Sequence, residues 1–141
     1  MQLTLVMAYG SLKRGFHNHG ILASNDARFV SEVQTKDSCY ELLSVAGTFP
    51  AATSGRLKIA GELYEVTETC LKELDYLEGN GWLYTREPVL VEDTHGGCSL
   101  VWMYLIPRER IDVAMLYKHP DYVDNVVQVK DGVASWVIAE R

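Results

Sequence analysis

The stretch Gly61-Glu62-Leu63-Tyr64-Glu65-Val66-Thr67-Glu68-Thr69-Cys70-Leu71-Lys72-Glu73-Leu74-Asp75-Tyr76-Leu77-Glu78-Gly79 constrains this chain more than any other, because it runs a strand-like segment into a short capped helix and sets acids where leucines are expected. Leu63 and Val66 belong to the strand, Thr67 is the natural N-cap, and Glu68 suits the positive end of the helix dipole. Leu71, Leu74 and Leu77 form an apolar stripe, and Gly79 supplies the stop. On a 3.6-residue period Leu71, Leu74, Asp75 and Glu78 fall at i, i+3, i+4 and i+7, so the core-facing side carries two carboxylates. Glu78 also stands at the negative end of the dipole, where a further negative charge is disfavoured. Two states are open to it. It can fray outward and be solvated, or it can be enclosed with a raised pKa, ready to accept and return a proton near neutral pH.

The rest of the chain is strand-dominated. Leu3 to Tyr9 reads as a buried first strand that breaks into Gly10-Ser11-Leu12-Lys13-Arg14-Gly15. Successive amides in such a loop can form a nest for a carboxylate or an oxyanion, and Gly10 permits close approach of a ligand. The segment lacks the further glycines of a dinucleotide fingerprint and the Gly-Lys-Ser/Thr ending of a P-loop, so an ordinary strand-to-loop turn is equally consistent with it. Strand-like runs follow at Cys39–Val45, Leu57–Tyr64, Val89–Asp93 and Cys98–Ile106. Thr94–Gly97 reads as a hairpin turn, and Lys130-Asp131-Gly132 as another between Val126–Val129 and Val133–Ala139. Ile111, Ala114, Met115 and Lys118 suggest a short helix ended by Pro120. The pattern predicts one α+β domain over residues 1–141, with six to eight strands and one or two helices. Its form is a small mixed β-barrel or a strongly curved sheet, with a C-terminal hairpin extension in residues 108–141. That extension carries Val126, Val127, Val129, Val133, Trp136, Val137 and Ile138. So much apolar surface must pack on the chain's own barrel or on a second chain, giving a monomer or a homodimer.

Composition narrows the functions. With 141 residues, 23% charged and a net charge of −6, the chain has no basic cluster for nucleic acid or an anionic membrane. Its apolar runs are too short to span a bilayer, and its N-terminus lacks a signal-peptide pattern, so a cytoplasmic location is expected. His17, His19, His95 and His119 show no metal-ligand spacing, and no metal is expected. Cys39, Cys70 and Cys98 are read as reduced thiols, and His95 to Cys98 as a turn rather than a nucleophile pair.

Taken in order, Tyr9-Gly10-Ser11-Leu12 with Arg14-Gly15 and Asn18-His19, Phe49-Pro50, Gly61-Glu62-Leu63-Tyr64, Leu74-Asp75-x-Leu77-Glu78-Gly79, Tyr84-x-Arg86 and Trp102-Met103-Tyr104 resemble the gamma-glutamylcyclotransferase-like superfamily. The nearest branch is the gamma-glutamylamine cyclotransferase and AIG2-like proteins. The resemblance covers about Met1 to Ile106, and residues 108–141 are longer than the family pattern.

The resemblance implies a barrel of about six strands with helices around it. It implies a cavity where the Tyr9–Leu12 loop holds a glutamyl group and Glu78 moves the proton. The substrate class is a gamma-glutamyl amide or amine, cyclised to 5-oxoproline with release of the free amine, and no cofactor is needed. Glu78 is then the catalytic acid/base, and the amides of Gly10, Ser11 and Leu12 cradle a carboxylate or oxyanion. Tyr9 and Tyr84 are candidates to hydrogen-bond the glutamyl group. Asp75 is a candidate for the ammonium, or for raising the pKa of Glu78 as a like charge. Arg86 is expected to pair with an acid nearby. Two other classes stay open on sequence alone: an idle member that binds a small carboxylate or a peptide, and an interaction protein using residues 108–141.

Overall fold

Alternating apolar runs separated by turn residues produce nine strands in the computed structural model, which describes residues 3–16, 18–45, 49–81, 83–111 and 125–138. They are β1 (Leu3–Ala8), β2 (Arg28–Thr35), β3 (Tyr40–Val45), β4 (Phe49–Ser54), β5 (Lys58–Thr67), β6 (Thr85–Asp93), β7 (Cys98–Leu105), β8 (Asn125–Lys130) and β9 (Val133–Ile138). Among the described residues, two α-helices, α1 (His19–Ser24) and α2 (Glu68–Glu78), and one 3₁₀ turn at Arg108–Arg110 accompany the strands. The helix expected between Ile111 and Pro120 falls, beyond Ile111 itself, outside the described residues.

Five strands close on themselves in the order β1-β7-β6-β2-β5, with β5 pairing back to β1. The β1–β7 contact is parallel and the other four are antiparallel, so this is a mixed five-stranded barrel, one strand fewer than the resemblance implies. Closure removes the sheet edges that would otherwise need protection. One side of every strand faces inward: Met7, Val33, Ile59, Leu63, Val89, Val91, Val101 and Met103 form a single buried cluster. The alternate residues of β1, β5 and β7, among them Val6, Ala8, Tyr64, Val66 and Tyr104, pack outward against Leu22 of α1 and Cys70 and Leu74 of α2. Gly61 is required at the β1–β5 contact, because a Cβ there would lie 2.5 Å from the Ala8 carbonyl oxygen.

Helix α2 starts and stops as its sequence dictates. The Thr67 hydroxyl accepts the Cys70 N–H at 3.2 Å. Gly79 takes the left-handed conformation, φ 61° and ψ 49°. The Gly79 and Asn80 amides then return to the carbonyls of Tyr76 and Asp75 at 3.2 and 2.9 Å. This 6→1 and 5→2 pattern satisfies helix carbonyls that would otherwise lack partners. At the two predicted hairpin turns, Asp93 accepts the amides of His95 and Gly97, and Asp131 and Gly132 both have positive φ, as a tight hairpin demands.

The C-terminal hairpin extends the chain's own sheet. β9 lies parallel to β5 through Lys58–Val133 and Ile59–Ala134, and β8 pairs with β9 on the outer side. Trp136 is 1% exposed and packs in the same cluster as the barrel interior. Replacing Trp136 by alanine is therefore expected to lower the unfolding free energy by about 3–5 kcal/mol, seen as a lower urea midpoint at unchanged slope. A loss below ~1 kcal/mol would mean that the hairpin adds nothing to the barrel.

Candidate active site

Where β1 ends, its alternation carries Tyr9 inward and leaves the chain free to turn. The Lys13 amide bonds the Gly10 carbonyl at 3.0 Å, closing a tight turn over Gly10–Lys13. Side chains outside the turn hold it in place. Asn18 donates its side-chain amide to Ser11 Oγ at 2.8 Å and its backbone amide to the Ser11 carbonyl at 2.9 Å. His19 Nδ1 bonds the Leu12 carbonyl at 2.9 Å, which places a proton on that nitrogen. Glu62 of β5 receives the Arg14 amide at 2.9 Å and the Tyr64 hydroxyl at 3.0 Å. Among the described residues, no group accepts the backbone N–H of Gly10, Ser11 or Leu12. Three donors in a fixed turn are the kind of arrangement that can receive an anion.

Gly10 has a different reason to be glycine than ligand approach alone. It does not have positive φ, and a Cβ at this position would lie 2.2 Å from Pro50 Cγ on β4. The absent side chain lets β4 close over the turn and form one wall of a cavity.

That cavity holds about 250 Å³ and is bounded by Met7 to Leu12, Asn18, Pro50, Leu77, Glu78, Leu83, Tyr84 and Tyr104. Glu78 is the one charged residue among the described residues lining it. Part of its side chain reaches the opening, but protein atoms surround the carboxyl, and burial raises its pKa to about 7 from an ordinary 4.5. The helix keeps Glu78 there because Leu74, one turn earlier, is fully buried, and because the Glu78 carbonyl accepts the Tyr84 amide at 3.2 Å.

Three tyrosines form the other walls. The Tyr9 hydroxyl donates to the Tyr104 carbonyl and the Tyr84 hydroxyl to the Pro50 carbonyl, each at 2.6 Å. Neither phenol can donate to a ligand without giving up its main-chain bond. Burial, followed by neighbouring Glu78 for Tyr9 and by Tyr9 for Tyr84, raises both pKa values well above the ordinary phenol. Tyr104 is pushed up too, by burial and then by its bond to Asp75. All three stay neutral at physiological pH.

The candidates named from sequence thus separate. Tyr9, Gly10, Ser11, Leu12, Glu78 and Tyr84 come together around one cavity. Asp75 does not line it. Its carboxylate receives the Arg86 guanidinium at 2.8 and 3.2 Å and the Tyr104 hydroxyl at 2.7 Å, so it is occupied by protein donors rather than placed for a substrate ammonium. The pairing of Arg86 with a nearby acid is observed, and Asp75 is that acid. Asn18, Pro50 and Tyr104 were not singled out as site residues. The outward alternation of Tyr104 on β7, toward α2, is the one signal that could have placed it here. His95 sits in the β6–β7 turn and Cys98 opens β7, and neither lines the cavity.

A similar arrangement of strands occurs in known proteins. A family model described as gamma-glutamyl cyclotransferase, AIG2-like, matches residues 6–124, and so ends just before β8. A protein of Methanocaldococcus jannaschii named "Putative gamma-glutamylcyclotransferase" is 31% identical over 119 residues, covering 84% of this chain and 95% of that protein. The gamma-glutamylcyclotransferase family protein YtfP of Escherichia coli is 29% identical over 119 residues, 84% of this chain and 96% of its own length. The crystal structure of an AIG2-like protein from Mus musculus superposes with a TM-score of 0.68 at 26% identity, covering 86% of this chain and 89% of that one. By its sequence and by the barrel that surrounds this cavity, the chain belongs to the AIG2-like gamma-glutamyl cyclotransferase family.

Proposed function

We propose that the chain is an enzyme that cyclises the gamma-glutamyl group of a gamma-glutamyl amide or amine to 5-oxoproline and releases the free amine. One observation carries the reading: a lone enclosed carboxyl with a pKa of about 7 shares a small cavity with a turn whose three amides have no acceptor among the described residues. The family supports the reaction class, and the chemistry supplies the roles.

The glutamyl group enters with its alpha-ammonium toward Glu78. The carboxylate takes one proton, and the neutral amine attacks the gamma-carbonyl carbon, forming the C–N bond of a five-membered ring. The amides of Gly10, Ser11 and Leu12 receive negative charge at this stage, on the developing oxyanion or on the alpha-carboxylate. Glu78 then gives its proton to the departing nitrogen, the original amide C–N bond breaks, and R-NH₂ leaves. The ring nitrogen still carries a second proton of the former ammonium, which passes to the regenerated Glu78 carboxylate and from there to the released amine or solvent, leaving the neutral lactam of 5-oxoproline. Two protons in turn pass over one carboxyl, and the balance closes without a cofactor. The neutral tyrosine walls hold the glutamyl chain curled, which turns ring closure into a matter of orientation. A carboxyl near pKa 7 is suited to both halves, since near neutral pH it exists in both protonation states.

Glu78→Gln is expected to fold and to release 5-oxoproline from gamma-glutamyl amides at least ~10²-fold more slowly than wild type. Near-normal release would rule out Glu78 as the proton carrier. The same substitution has a signature independent of substrate. Between pH 4.5 and about 7 the folded chain keeps on Glu78 a proton that the unfolded chain has released, so wild-type stability falls as pH rises through that window. Glu78→Gln, which does not ionise, should therefore gain on wild type by on the order of 2 kcal/mol between pH 4 and pH 8 in parallel urea titrations. At the turn, Gly10→Val would drive a branched side chain into Pro50. Calorimetry with 5-oxoproline should show at least ~10-fold weaker binding than wild type, because the turn and Pro50 must move apart.

A further inference from the structure

The charged cluster behind the cavity has no role in the proposed reaction, yet it ties the end of α2 that carries Glu78 to β6 and β7. Asp75 lies on the last full turn of α2 before Glu78. Arg86 of β6 grips it with two guanidinium nitrogens, and its own backbone amide bonds Asn80 Oδ1 at 2.8 Å just past the helix end. The Arg86 guanidinium rests 4.3 Å from the ring centre of Trp102 on β7. Tyr104, two residues further along β7, donates to the same Asp75 oxygen, and its ring lines the cavity. Its carbonyl receives the Tyr9 hydroxyl from the opposite wall. A planar fork stacked on an aromatic ring and bound at two points to a carboxylate fixes orientation as well as distance. The side chains of Arg86 and Asp75 are 19% and 24% exposed, too enclosed to be an ordinary solvated surface pair.

We propose that Arg86, Asp75 and Tyr104 act together as the positioning group for Glu78, anchoring the end of α2 to β6 and β7 so that the Glu78 carboxyl stays inside the cavity. As far as catalysis is concerned, this rests on the reading of Glu78 as the acid/base. The cluster touches no reacting atom. It acts by preventing the last turn of α2 from swinging outward, where Glu78 would be hydrated and out of line with the ring-closing amine. The ionisable groups that face Glu78 are Tyr9 from the β1 turn, Tyr84 ahead of β6 and Tyr104 from β7, all neutral, with Asp75 and Arg86 behind Tyr104. None of these neutral groups offsets a movement of Glu78 into water, so its proton affinity reports its place directly.

The test needs a substitution that leaves the local charge balance unchanged. Arg86→Gln alone would strand the Asp75 carboxylate, and a like charge would raise the pKa of Glu78 and mask its exposure. The double variant Asp75→Asn/Arg86→Gln removes the clamp without changing net charge. Carbon-13 NMR of the glutamate carboxyls should place Glu78 near 7 in wild type and at least ~1 unit lower, toward 4.5, in the double variant. If gamma-glutamyl amides are turned over, kcat should fall ~10-fold or more with KM within ~3-fold, the pattern of a misplaced catalytic group rather than a lost binding contact. Tyr104→Phe, which deletes one hydrogen bond, should shift both quantities in the same direction by less, and it decides the matter if the double variant does not fold. A folded double variant whose Glu78 titrates within ~0.3 unit of wild type and whose kcat is unchanged would overturn the proposal. If wild type releases no 5-oxoproline from any gamma-glutamyl amide, the functional reading falls, and the carboxyl titration alone still decides whether the clamp positions Glu78.

Discussion

Everything in this fold that concerns chemistry depends on keeping one carboxylate out of water with no cation beside it. An isolated ionised carboxylate in a low-dielectric site is so unfavourable that the group instead holds its proton to higher pH, and Glu78 does so. That state survives only if the helix end cannot relax outward. The αL stop at Gly79, the return hydrogen bonds to Tyr76 and Asp75, and the buried Leu74 one turn earlier each remove a way out. Arg86 is close by, yet it is committed to Asp75. The protein thus separates a carboxylate paired with a cation, Asp75, from one with no cation beside it among the described residues, and the proposed proton transfer is assigned to the second.

The opposite wall applies complementary logic. A turn can leave three amides without acceptors only if other groups hold it open, and here those groups come from three directions. Asn18 and His19 tie it from the start of α1, Glu62 reaches across from β5, and Lys13 Nζ bonds the Trp136 carbonyl of β9 at 2.8 Å. Arg14 also lies 4.0 Å from the ring centre of Phe29, which keeps its guanidinium turned away from the cavity. On the proposed reading, an anion entering the site meets backbone dipoles rather than a mobile cation, and the geometry offered to it is set before it arrives.

The sequence made the helix and its acid legible because capping and periodicity are local. Thr67, Gly79 and the spacing from Leu71 to Glu78 can be read without knowing the fold, and each is realised. The turn after β1 was legible as a loop and as a possible nest for an anion, but not what holds it open, since those groups lie on α1, β5 and β9. Asp75 shows the limit most clearly. By periodicity it stands beside Glu78 as a second acid on the same face, and only the long-range approach of Arg86 and Tyr104 decides that it serves structure instead. Gly10 was read as permitting close approach of a ligand, whereas the structure uses its missing Cβ to admit Pro50, a neighbour no local pattern reveals. A small mixed barrel was expected and is found, but the strand order that closes it was not readable, because one strand, β5, pairs with three partners far away in sequence.

The position of β5 has a kinetic consequence. It contacts β1, β2 and β9, and the ring closes where Val6 meets Trp102, so the pairings that complete the fold join residues distant along the chain. Loop closure of this kind must be achieved before the contacts it allows can stabilise anything, which makes such topologies slow to form. The Lys13–Trp136 bond connects the anion turn to the segment that joins the sheet from farthest along the chain. During synthesis the residues of α2 emerge early, but the bond from Lys13 to the Trp136 carbonyl cannot form until β9 has emerged and docked. On the proposed reading, the segment that carries the acid is therefore made well before the turn it faces is braced from its third side.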